Sequence, residues 1–91
     1  MTTLAEQSEL IARDLEAGGF ASEATEIRNL LETARDESQS TTMRVKALEQ
    51  IHMRCHVKWF GDLYIPQLTQ KEWWCRLEAL SRATQKMQKS L

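Results

Sequence analysis

His52, Cys55 and His56, with Cys75 further along, are all the histidines and cysteines of the chain, and they are also the residue types that most often bind Zn²⁺. His52 and His56 are i, i+4, and His52 and Cys55 are i, i+3, so a continuous helix would turn all three to one side. The spacing is not that of a zinc finger or ribbon, and Cys75 stands alone where a second ligand pair would be needed. His52, Cys55 and His56 are therefore weak metal candidates, and no cofactor is expected. Cys55 between two histidines could also form a nucleophilic pair. Nothing beside it supplies an oxyanion hole or a substrate cleft, so an enzyme is not expected.

The second concentration of unusual residues overlaps the first. Five of the six aromatic residues (Trp59, Phe60, Tyr64, Trp73 and Trp74) lie within the sixteen positions 59–74. Trp73 and Trp74 point about 100° apart on a helix, so Trp73 can join a core stripe while Trp74 sits at its border. A small domain has difficulty burying all of these rings, and exposed aromatic side chains dominate binding hot spots. Trp59, Phe60, Tyr64 and Trp74 are expected as apolar anchors for a partner, with Lys58, Asp62 and Arg76 as rim charges.

Four helices must position these groups. The expected spans are about 3–17, 22–35, 43–56 and 70–88, with an ordered loop at 57–68. Leu4, Ile11 and Leu15 form the first apolar stripe, and Gly18-Gly19 stops that helix through a left-handed residue followed by Phe20. Ala24, Ile27, Leu30, Leu31 and Ala34 line the second, and the short link makes the pair an antiparallel hairpin. Residues 36–42 are polar and end in Thr41-Thr42, either of which is a plausible N-cap for the third helix. Thr69-Gln70-Lys71-Glu72 is a capping box, with Leu68 and Trp73 as its hydrophobic staple. Beyond it, Trp73, Leu77, Leu80, Thr84 and Met87 recur at helical spacing. The fold class is all-α: one four-helix bundle-like domain over 1–91, an N-terminal hairpin plus two helices joined by an aromatic loop.

Charge is unevenly placed. Residues 1–40 hold nine acids and three bases, residues 41–91 nine bases and four acids, for a net charge of −1. The expectation is that the halves pack together and partly neutralise each other. Arg82, Lys86 and Lys89 make a basic stripe on the last helix, but a pI near 6.1 argues against nucleic acid as the partner. The acidic hairpin, with Glu9, Asp14, Glu16, Glu23 and Glu26, offers a second face suited to a basic partner.

No run of eighteen apolar residues occurs and the first residues lack a secretory signal, so neither a membrane span nor export is expected, and the location is expected to be cytoplasmic. Self-association is left open. The functional expectation is a small non-catalytic protein-interaction module, of the kind of an adaptor, inhibitor, antitoxin or immunity protein from bacteria or phage. A nucleic-acid-associated protein and a metal-binding domain are the alternatives.

Overall fold

The computed structural model of the chain describes residues 3–56 and 58–91; Val57, the first position of the expected loop, lies outside them. The chain runs through α1 (Leu4–Ala17), α2 (Ala21–Arg35), α3 (Thr41–Arg54), a 3₁₀ turn at Phe60–Asp62, and α4 (Gln70–Ser90). All regular structure among the described residues is helical. Each of α1 to α3 packs on the next, α3 packs on α4, and α4 closes the ring onto α1.

The link between α1 and α2 follows from its three residues. Gly19 adopts φ +92°, and the N–H groups of Gly19 and Phe20 donate to the carbonyls of Glu16 (3.1 Å) and Leu15 (2.7 Å). This double bond pattern is a Schellman motif. It satisfies carbonyls that the helix end would otherwise leave orphaned and reverses the chain within three residues. Phe20 then packs onto the core that contains Leu15.

Ser40, rather than Thr41 or Thr42, caps α3: its hydroxyl accepts the Met43 N–H at 3.2 Å. All three residues have the capping hydroxyl. Position is decided upstream, where the Asp36 carboxylate takes the Ser38 N–H at 2.9 Å and fixes the preceding turn. Arg44 then donates from Nε to the Ala34 carbonyl at 2.9 Å, tying the start of α3 to the end of α2.

The helical part of α3 stops at Arg54, two residues short of the expected end. Cys55 is its C-cap, and the next N–H groups bond three residues back instead of four. In α4 the capping box is complete: Thr69 and Glu72 each accept the other's backbone N–H, at 3.1 and 3.2 Å.

One core cluster joins Ile11, Leu15, Ile27, Ile51, Phe60, Trp73, Leu77 and Leu80 from all four helices and the connector. The acidic and basic halves meet across it through two ion pairs, Asp14–Arg76 and Glu26–Arg54. Part of the charge asymmetry is thus cancelled inside the molecule. Among the described residues no helix is long and apolar enough to cross a membrane.

Candidate functional site

The early stop of α3 decides what the histidines and Cys55 can do. Cys55 sits at the C-cap and His56 beyond it, so the i, i+4 relation of His52 and His56 is not carried by a helix. Nδ1 of His52 lies 2.6 Å from the Ser81 hydroxyl of α4, which donates to a neutral ring nitrogen or accepts from a protonated one. Nδ1 of His56 accepts the Lys58 N–H at 3.2 Å. Among the described residues, no group of three or more His, Cys, Asp or Glu side chains is arranged to hold a metal ion. One ring nitrogen of each histidine, the weak metal candidates His52 and His56, is engaged by a hydrogen bond, and Cys55 lies between them at the end of α3.

Burial pushes the Cys55 thiol up to about 12, so at neutral pH it is not the thiolate that attacks carbon or binds metal. Cys75 is exposed on α4, and both thiols are free.

The aromatic residues divide sharply. Phe60 is fully buried and leaves the set of anchors; its ring is part of the core, because the 3₁₀ turn tucks it under α4. Trp59, Trp74 and Tyr64 remain 45%, 44% and 76% exposed. The adjacent indoles of α4 donate to consecutive carbonyls of the turn: Trp73 Nε1 to Phe60 O at 2.8 Å, and Trp74 Nε1 to Gly61 O at 3.1 Å. Trp73 is buried, and Trp74 keeps one face outside.

Trp59 is held from one side by the Arg54 guanidinium, 4.9 Å from the ring centroid. Arg54 is itself fixed by Glu26, by the Gln50 carbonyl at 3.1 Å and by the Gln50 side chain at 2.9 Å. Its charge is therefore largely committed before any partner arrives.

Two grooves meet on this side of the molecule. The first, about 420 Å³, runs between the end of α3 and α4 past Cys55, Trp74, Leu77 and Ser81. The second, about 300 Å³, lies between Met53 and Trp59 and is bordered by Lys58. Both share His52 and His56 as their common ridge. The resulting face has Trp74 on one flank and Trp59 with Met53 on the other.

Tyr64 and Asp62 stand apart from it. They border a smaller hollow, about 220 Å³, with Leu68 and Trp73, which shares no residue with the two grooves. Arg76 also leaves the expected rim, because it is turned toward α1 and paired with Asp14, a carboxylate that is itself buried. Lys58 and Asp62 are exposed.

The acidic hairpin is less available than its composition implies. Arg28 bridges Glu9 at 2.9 Å and Glu16 at 2.8 Å, and its hydrogen bonds hold both carboxyls below their ordinary range. Asp14 and Glu26 are taken by the cross-half pairs. In the basic stripe, Arg82 is paired with Glu78 of its own helix, while Lys86 and Lys89 border a groove floored by Leu4, Ala83 and Met87.

Two members of the face are absent from the expectations. Met53 is 49% exposed, and it lies off the apolar lines of α3 that carry Leu48, Ile51 and Cys55. An apolar residue off the stripe is the signal that could have marked it. Ser81 follows Leu77 by one helical turn, but no local pattern pairs it with a histidine of another helix.

No family model, no curated protein and no solved structure matches this chain.

Proposed function

We propose that the chain is a small non-catalytic protein-interaction module that docks a protein partner on the face built around His52 and His56. The observation that carries this reading is the pair of half-exposed indoles, Trp59 and Trp74, each already fixed from within by Arg54 or by Gly61 O. Interface energy concentrates in a few aromatic and arginine anchors at well-packed positions. Side chains that are ordered before docking lose little further freedom on docking, which leaves more of their burial as affinity.

The kinds of protein that use a domain of this size in this way are adaptors, inhibitors, antitoxins and immunity proteins. The free thiols of Cys55 and Cys75 are in keeping with a reducing, cytoplasmic compartment. Catalysis is not part of the reading: the Cys55 thiol is suppressed by burial, and among the described residues neither histidine is oriented by a carboxylate hydrogen bond.

The test is co-purification from native cells with wild type, Trp59→Ala and Trp74→Ala. A partner retained by wild type and lost by variants that keep the helical circular-dichroism signal supports the module. Folded variants that retain the same partner with the same affinity would remove it.

A further inference from the structure

The charges around the two grooves say what kind of segment fits there. Among the described residues no carboxylate lines the groove between Met53 and Trp59, and Lys58 stands exposed at its edge. The neighbouring groove contains one carboxylate, Glu78, which Arg82 holds at 2.5 Å. Of the cations beside this face, Arg54 is committed to Glu26 and Arg82 to Glu78, which leaves Lys58 as the cation lining the groove with no ion pair among the described residues. A carboxylate is the group that complements Lys58.

We propose that the occupant of this face is an acidic protein segment, which places an apolar side chain between Met53 and Trp59 and a neighbouring carboxylate on Lys58. This rests on the protein-interaction reading above and specifies its partner. The indole and thioether supply a polarizable apolar seat. The ammonium at the edge sets orientation and speeds encounter more than it adds affinity, so its contribution is screened by salt.

Selection of a random-peptide display library on the full chain tests this, and it requires no identified partner. The expected result is enrichment of peptides carrying an aliphatic or aromatic residue flanked by Asp or Glu. Their binding should fall about tenfold in Lys58→Glu and in Trp59→Ala, and weaken as salt rises. Lys58 is exposed, so Lys58→Glu keeps the test independent of any effect of Trp59→Ala on folding.

Enriched peptides that need Trp59 and Trp74 but carry no acidic excess, or that bind Lys58→Glu as well as wild type, overturn the acidic partner and leave the module standing. Absence of enrichment, or peptides indifferent to both tryptophans, overturns both. Trp59-dependent sedimentation with phosphatidylcholine–phosphatidylserine vesicles, without peptide enrichment, assigns the face to a lipid surface and likewise overturns both.

Discussion

Trp73 of α4 reaches across the core to donate its indole N–H to the Phe60 carbonyl at 2.8 Å, a contact buried at both ends. Beside it, the half-exposed Trp74 makes the same kind of bond to the carbonyl of Gly61, a buried residue. Trp73→Phe would remove one of two bonds to the Phe60 carbonyl, which keeps the Leu63 N–H at 3.0 Å, and would open a void in the core, costing about 2–4 kcal/mol. Trp74→Phe takes the indole N–H from the Gly61 carbonyl but opens no core void, because Trp74 is half-exposed, costing about 1 kcal/mol. Urea midpoints of the two variants check this, and equal losses would contradict the assignment of buried and exposed roles.

Ser8 presents the opposite case. Its hydroxyl is buried in α1 with no hydrogen-bond partner among the described residues, while its neighbours Ile11 and Ala12 are core residues. Ser8→Ala removes an unsatisfied polar atom and improves helix propensity, so it should stabilise the protein by about 1 kcal/mol. A lowered unfolding midpoint would show that the hydroxyl has a partner after all.

Acid sensitivity should run through Arg28. Hydrogen bonds from its guanidinium depress Glu9 and Glu16 below the ordinary value of 4.5. A depressed carboxyl contributes stability that is fully present above its unfolded value and is lost as pH falls through the folded one. Wild type should therefore lose stability as pH falls below about 4.5, and Arg28→Met should lose less over that window. Thermal midpoints across the pH series measure the difference. Because both carboxylates are exposed, added salt should shrink it.

The two thiols should separate cleanly. Cys75 is exposed, whereas burial holds Cys55 in its protonated form. At neutral pH a disulfide reagent should modify one cysteine quickly and the second far more slowly, because little of it is thiolate. Cys75→Ser should abolish the fast reaction. Rapid modification of Cys55 in the folded variant would contradict its placement.

Short-range signals carry most of the architecture. The Gly18-Gly19-Phe20 stop and the Thr69–Glu72 cap are complete within a few residues, so their geometry is readable wherever they occur. The end of α3 is not written that way. No glycine or proline marks Arg54, and its side chain is recruited by Glu26, twenty-eight positions earlier. The N-cap at Ser40 is hidden among three equivalent hydroxyl residues.

Within the candidate face, composition points to the right segment but not to the right rings. Helical phase assigns Trp73 to the core and Trp74 to its border, as found. Phe60 and Trp59 follow no such phase, because the turn that buries one and exposes the other is set by the two indole hydrogen bonds from α4. Arg76 escapes a local reading for a related reason: its partner Asp14 lies sixty-two positions away.

Because α4 closes back onto α1, Thr3 and Ser90 border the same groove. From there α4 rises about 24 Å, at 1.5 Å per residue, before reaching Trp74. A short linker could join these two points and new ends could be opened in the polar stretch around Glu37, giving a circular permutant with the same helix neighbours. For the same reason a tether at either site would present the tryptophan side outward, away from the support that holds it.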